Sequence, residues 1–197
     1  MSGSVGNWYD KYGSKHPVER WLMAGFLREV TALYLRERAR TVLEVGCGEG
    51  HLAQHLVTRG YRPEHFEATD LSLERCRPDL DPVIQLRAAT AYALPYHDRQ
   101  FDLVICCEVL EHLNEPVRAV RELSRVCNKS VIVSTPAEPL FRALNLLRGA
   151  YLRRLGNTPG HVQHFSRKGL VHLLGQFLRI QEVRTPVPWT VVLASPL

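Results

Sequence analysis

No apolar run in this chain approaches the ~20 residues that a membrane-spanning helix requires, and the N-terminus, Met1 to Asp10, is polar. Neither a membrane span nor a targeting signal is therefore expected. Internal repeats and low-complexity tracts are also missing. Cysteine is sparse and odd in number, five in 197 residues. Three of the five, Cys47, Cys106 and Cys107, fall in strand-like or glycine-turn segments rather than in paired loops. Reduced, buried thiols of a cytoplasmic protein are the expectation. The length admits one domain with a full core and no second catalytic domain. A hydrophobic content of 45% is that of an ordinary globular protein. The net charge of +5 would attract an anionic partner. Much of that excess is arginine on apparent helices, which reads as a solvated basic face and argues against nucleic acid as the partner.

The most informative stretch is Thr41-Val42-Leu43-Glu44-Val45-Gly46-Cys47-Gly48-Glu49-Gly50. A β-branched apolar strand runs into an acidic residue and three alternating glycines, and His51 to Val57 can start a helix. Glycine reaches backbone angles closed to other residues and removes the Cβ that would keep a ligand off the main chain. A dinucleotide site wants Gly-x-Gly-x-x-Gly, with a pyrophosphate on the helix N-terminus. Here the pattern is Gly-x-Gly-x-Gly, with His51 where that third glycine should stand, which disfavours pyrophosphate. Glu49 and His51 read as surface residues at the helix start.

Glu44-x-Gly46-x-Gly48-x-Gly50 resembles motif I of the class I S-adenosylmethionine-dependent methyltransferases. Phe66-Glu67-Ala68-Thr69-Asp70 is similar to that family's second strand. Leu94-Pro95-Tyr96 with Phe101-Asp102-Leu103-Val104-Ile105-Cys106-Cys107 resembles its approach to strand four, and Glu108-Val109-Leu110-Glu111-His112-Leu113 its following loop. These motifs, in the family's order, cover about residues 40–135. The resemblance implies S-adenosylmethionine as cofactor, with S-adenosylhomocysteine as product. It assigns Gly46, Cys47 and Gly48 to backbone contact and Asp70 to both ribose hydroxyls. Glu44 would hold the glycine turn or reach the cofactor's amino-acid part through water. Leu71 would flank the adenine. Thr90 stands where the family commonly has Asp; its hydroxyl would accept from the adenine amino group without charge, and Ala91 would offer the next N–H. Cys107 would contact the cofactor at the end of strand four, and Tyr9 and Tyr12 would close over it.

Along the chain, Val18, Trp21, Leu22, Phe26, Val30, Leu33 and Tyr34 give one apolar helical stripe that should pack on the sheet. Strands are expected at 41–46, 65–69, 83–86, 101–107 and 130–134, with a helix from about 49 to 58. A short helix should follow Ser72 and end by Pro78. Asn114 is a good N-cap for a helix to about Val126, with Pro116 in its first turn. Alternating strands and helices argue for a parallel sheet covered on both faces. Leu178 to Val183 and Trp189 to Ala194 are linked too closely for a crossover, so they must pair as an antiparallel hairpin. The resemblance adds the fold class: a Rossmann-like α/β methyltransferase fold, seven strands mostly parallel with an antiparallel last strand. The single domain divides into 1–40 (lid and helix), 41–135 (cofactor core), 136–166 (acceptor-side insertion) and 167–197 (last helix and hairpin).

Methyl transfer from a sulfonium is an in-line displacement, so alignment matters most, with a base for acceptors that carry a proton. His112, His161 and His164 are the candidate bases, because imidazole titrates near neutrality. His112 is best placed, directly after strand four. The expected acceptor is a small molecule offering O, N or C at a site with no metal. Glu108, Glu111, His112 and His164 also resemble the metal site of small-RNA 3′-terminal 2′-O-methyltransferases, which gives a metal-dependent RNA enzyme as the alternative. A non-catalytic cofactor-binding subunit is the third reading. The oligomeric state is open, and a homodimer is admitted.

Overall fold

The apolar runs assemble into one sheet, with the intervening segments folded across its faces. The computed structural model describes residues 16–147, 155–158 and 160–197. Tyr9 and Tyr12 lie outside the described residues, as do Arg148, Tyr151, Arg153 and Arg154 of the insertion. In chain order the elements are α1 (Pro17–Glu37), β1 (Thr41–Val45), α2 (His51–Arg59), β2 (His65–Asp70), β3 (Ile84–Ala88), β4 (Phe101–Cys107), a 3₁₀ turn (Leu110–His112), α3 (Pro116–Val126), β5 (Cys127–Pro136), α4 (Leu140–Leu147), α5 (Arg167–Leu174), β6 (Leu178–Arg184) and β7 (Trp189–Pro196).

The seven strands run in the order β3-β2-β1-β4-β5-β7-β6. All neighbours from β3 to β5 pair in parallel, and β7 pairs antiparallel with both β5 and β6. This is the expected class I methyltransferase fold. One face carries Phe26, Val30 and Leu33 of α1 with Leu52 and Leu56 of α2. The other carries Leu123 and Val120 of α3 with Leu170 and Leu174 of α5. The central strands are buried on both sides, which explains their continuous apolar runs. Strand order reverses between β1 and β4, and open α/β sheets bind ligands at that switch point, beyond the strands' carboxyl ends. No helix among the described residues is long and apolar enough to cross a membrane.

Several local expectations are corrected. Val18 and Trp21 are exposed, and burial on α1 begins at Met23, because the first turn projects beyond the residues that reach the core. No helix follows Ser72. The segment turns instead, with the Ser72 hydroxyl accepting from Glu74 N–H, Cys76 N–H bonding Leu73 O, and Arg77 N–H leaving for Glu49 O. Glu115, not Asn114, caps α3, and no side chain completes the cap. Pro116 supplies the start because its fixed φ suits the first helical position and it has no N–H to satisfy. β5 begins at Cys127, directly after α3, so it is longer than its central apolar run. All five cysteines are free thiols; Cys76 and Cys107 are half-buried and the other three buried.

Candidate functional site

A cavity of about 320 Å³ opens at the β1/β4 switch point. Its floor is the turn after β1. Gly46, Gly48 and Gly50 all have positive φ, at 79°, 56° and 81°, yet they need glycine for different reasons. A Cβ on Gly46 would stand 2.3 Å from a Val109 methyl, and one on Gly50 would stand 3.0 Å from Leu80. Only at Gly48 would a Cβ point into open space, with nothing within 4 Å. Gly46 and Gly50 are packing glycines, and Gly48 is the one that clears room for a ligand.

The turn's amides are used within the protein. Gly46 N–H and Cys47 N–H both donate to Thr69 O, at 2.7 and 2.9 Å. Gly48 N–H donates to Asp70 Oδ2 at 2.8 Å. The end of β2 therefore fixes the shape of the turn, and Asp70 braces it as well as facing the cavity. At Gly46, Cys47 and Gly48, backbone contact with a ligand therefore rests on close approach rather than on spare N–H donors. The Cys76 thiol donates to Gly48 O at 3.1 Å and tethers the 71–80 loop to the same turn.

Glu44 ends as a buried carboxyl, 3% exposed. Burial, and then the charge of Asp70, push its pKa up to about 8, against the opposing pull of Ala53 N–H. Its Oε2 has no hydrogen-bond partner among the described residues. An orphaned buried oxygen and an open Cβ position at Gly48 fit a polar ligand laid over this turn. Leu71, exposed, stands on one side with Ala89, Thr90 and Ala91. The Thr90 hydroxyl accepts from Tyr92 N–H at 3.3 Å. Cys107 lines the wall, its thiol pushed up by burial and so kept neutral. Glu49 and His51 are half-buried cavity residues, paired at 3.0 Å, and not surface residues as expected.

The opposite end is built from residues that the sequence did not nominate as a wall. Met23 and Phe26 come from α1 and Trp189 from β7, with the Phe26 and Trp189 ring centroids 5.1 Å apart. Glu108 follows β4 at φ 61° and accepts from Trp189 Nε1–H at 2.7 Å and from the Ser134 hydroxyl at 3.1 Å.

Of the three candidate histidines, only His112 lines the cavity. Its Nδ1 lies 3.0 Å from Gly160 O. A carbonyl only accepts, so Nδ1 carries a proton and donates to it. His161 does not line the cavity. It is buried behind His112, the ring centroids 4.9 Å apart, because Val162 and Gln163 N–H both bond Glu111 O and draw this loop inward. His164 lies outside, Nε2 against Asn157 Oδ1 at 2.9 Å. Glu111, His112 and His161 bring ligand atoms within 4.8 Å of one another. The metal-type grouping thus takes His161 where sequence suggested His164, and Glu108 turns to Trp189 and Ser134.

Comparison with known proteins matches residues 43–134 to a family described as methyltransferase domain. A probable S-adenosylmethionine-dependent methyltransferase of Mycobacterium tuberculosis is 37% identical over 107 residues, covering 52% of this chain and 38% of that protein. The mitochondrial ubiquinone biosynthesis O-methyltransferase of Arabidopsis thaliana is 32% identical over 100 residues, covering 47% of this chain and 31% of that one. The chain thus spans well under half the length of these two relatives. Magnesium protoporphyrin IX methyltransferase of Synechocystis, solved with S-adenosylhomocysteine bound, superposes with a TM-score of 0.68 at 18% identity, covering 94% of this chain and 90% of that one. That likeness is one of fold.

Proposed function

We propose, from the match of residues 43–134 to a methyltransferase domain and from the likeness to a probable S-adenosylmethionine-dependent methyltransferase, that this protein moves a methyl group from that cofactor to O, N or C of a small-molecule acceptor, without a metal. The observation that carries the reading is the two-ended cavity. Glu44, the glycine turn, Asp70, Leu71, Thr90 and Ala91 form one end, and Glu108, His112, Met23, Phe26 and Trp189 form the other. The relatives' printed names, with ubiquinone biosynthesis among them, support a small acceptor.

When bound, the cofactor supplies an electrophilic methyl on a sulfonium. Asp70 would hold the ribose hydroxyls, Glu44 and Gly48 the methionine part, and Leu71, Thr90 and Ala91 the adenine. Phe26 and Trp189 offer apolar faces against which an acceptor can lie with water excluded. His112 Nε2 is the base for an acceptor that must lose a proton, its tautomer held by Gly160 O. Glu108, held by Trp189 and Ser134, presents a fixed carboxylate to the acceptor. The connection 136–166 is the acceptor-side element, since its loop holds the His112 ring. Free thiols at all five cysteines suit the cytoplasm. The test is a screen of small hydroxylated and amine acceptors with methyl-labelled cofactor and a chelator present. Labelled small product that is lost in His112→Gln and reduced in Trp189→Phe supports the reading.

A second reading, metal-dependent transfer, is favoured by one observation. A carboxylate and two imidazoles within 4.8 Å, Glu111, His112 and His161, suit a divalent ion. Metal analysis of purified protein, with Glu111→Gln alongside, distinguishes the two: stoichiometric metal lost in that variant favours the second.

A further inference from the structure

Two cysteines from separate parts of the chain converge on the glycine turn. Cys47 stands within it, between Gly46 and Gly48, and lines the cavity. Cys76 comes from the loop after β2, which folds back through Cys76 N–H to Leu73 O and is drawn to the turn by Arg77 N–H to Glu49 O. Both sulfurs reach one oxygen. Gly48 O lies 3.1 Å from Cys76 Sγ and 3.9 Å from Cys47 Sγ. The two thiols are also within hydrogen-bonding reach of each other. Neither is bonded to another cysteine; Cys47 is buried and Cys76 half-buried, so Cys76 is the one that solvent reaches.

We propose that Cys47 and Cys76 are a reversible oxidation site: a low-molecular-weight disulfide converts them to an internal disulfide that fastens the 71–80 loop to the glycine turn and weakens cofactor binding. Half-buried Cys76 reacts first. Its thiolate attacks one sulfur of the small disulfide, the other sulfur leaves and takes a proton, and a mixed disulfide remains. Cys47, deprotonated in turn, attacks the Cys76 sulfur and expels the second small thiol. Two protein thiols are oxidised and one small disulfide is reduced to two thiols, so electrons and protons balance. In the product Gly48 O has lost both S–H donors, and the Cys47 sulfur is drawn from the cavity toward the loop. The turn therefore changes at the glycine that clears room for the ligand.

The surroundings set the rate. Burial raises both thiols, and Glu44 and Asp70 raise them further, with Glu49 adding to the effect at Cys76 against the opposing pull of its bond with Cys47. The thiolate is the attacking form, so the disulfide forms slowly at neutral pH and faster as pH rises. Thiols not stabilised as thiolates also make a weakly oxidising disulfide, which persists once formed. The pair is a latch for sustained oxidation rather than a fast sensor. The disulfide follows from the placing of the two thiols alone, and its effect on affinity rests on the cofactor reading above.

The test is to incubate the purified protein with oxidised glutathione at several pH values, map its peptides by mass spectrometry without reduction, and titrate each sample with S-adenosylmethionine. The expected result is a linked peptide pair joining Cys47 to Cys76, formed faster at higher pH, with cofactor affinity lowered at least about tenfold and restored by dithiothreitol. Cys76→Ser keeps a hydroxyl donor for Gly48 O and cannot form the bond. Its affinity should be the same before and after the oxidant. No linked pair, glutathione retained on Cys76 without closure, or a linked pair with unchanged affinity would overturn the proposal and leave the cofactor reading standing. Failure of the reduced protein to bind S-adenosylmethionine overturns the cofactor reading and with it the proposed control of affinity, while the peptide map still decides the disulfide. If Cys76→Ser fails to fold, reversal by dithiothreitol together with the peptide map of the unaltered protein decides alone.

Discussion

The indole N–H of Trp189 donates to Glu108 Oε2 at 2.7 Å, so the first residue of β7 holds the residue that follows β4. Glu108 has φ 61°, a region that costs a non-glycine residue about 1–3 kcal/mol. The Trp189 and Ser134 bonds help to hold it there. Trp189→Phe keeps the ring against Phe26 and removes the donor. It should lower acceptor turnover roughly 10- to 100-fold, the worth of one hydrogen bond to a charged group, and leave cofactor affinity within about twofold. Steady-state kinetics with a labelled acceptor, set beside a cofactor titration, check both.

The glycines of the turn should separate by variant. Gly46→Ala meets a Val109 methyl at 2.3 Å and should lower the melting temperature. Gly48→Ala meets nothing within 4 Å. It should therefore cost only about 1 kcal/mol of stability, the strain of a left-handed alanine, but weaken cofactor binding at least tenfold. Equal cofactor affinity in Gly48→Ala and the unaltered protein would remove Gly48 from the ligand's path.

Asp70 has two tasks, a brace for Gly48 N–H and an acceptor facing the cavity. Asp70→Ala should lose both and weaken cofactor binding by about 1.5–3 kcal/mol for each charge-assisted bond removed. Asp70→Asn keeps an oxygen for the brace and should fall in between. Paired calorimetric titrations would give the order.

Two buried carboxyls give opposite pH slopes to stability. Burial, then Asp70, raise Glu44 to about 8 in the folded protein, against roughly 4.3 when unfolded. Between those values the folded protein keeps a proton that the unfolded chain has lost. Stability from this group is therefore greatest at the acid end, falls as pH rises through that interval and levels off above it. Burial raises Glu67 as well, but bonds from Tyr96, Arg87 and His65 outweigh it and leave its pKa lowered. Its contribution is present above the unfolded value and is lost as pH falls through the folded one. The melting temperature of the ligand-free protein should decline from about pH 5.5 to 8, and Glu44→Gln should flatten that decline. An unchanged slope in the variant would assign it elsewhere.

The sequence shows the donor end of the cavity more fully than the acceptor end. Glu44, Gly46, Gly48 and Asp70 lie in a strand and turn whose spacing is local, so the pattern itself names them. Trp189 reaches Glu108 across 81 positions, and no local pattern marks a tryptophan that begins a strand as a wall of the cavity. The nearby histidines show the same limit. His161 and His164 share one short segment, and only the two bonds from Val162 and Gln163 to Glu111 O decide that His161 turns inward. After Ser72, composition allowed a helix, but hydrogen bonds to the glycine turn and to Glu49 took the backbone groups that a helix needs. The apolar stripe of α1 was right in period and too long by a turn, since period alone does not show where the sheet ends.

The most direct test of the account is a calorimetric titration of the purified protein with S-adenosylmethionine in the presence of a chelator. The account predicts one-to-one binding at micromolar affinity, weakened in Asp70→Ala and Gly48→Ala alike. No binding, or binding that appears only when a divalent ion is restored, would contradict a metal-free cofactor site at the β1/β4 switch point.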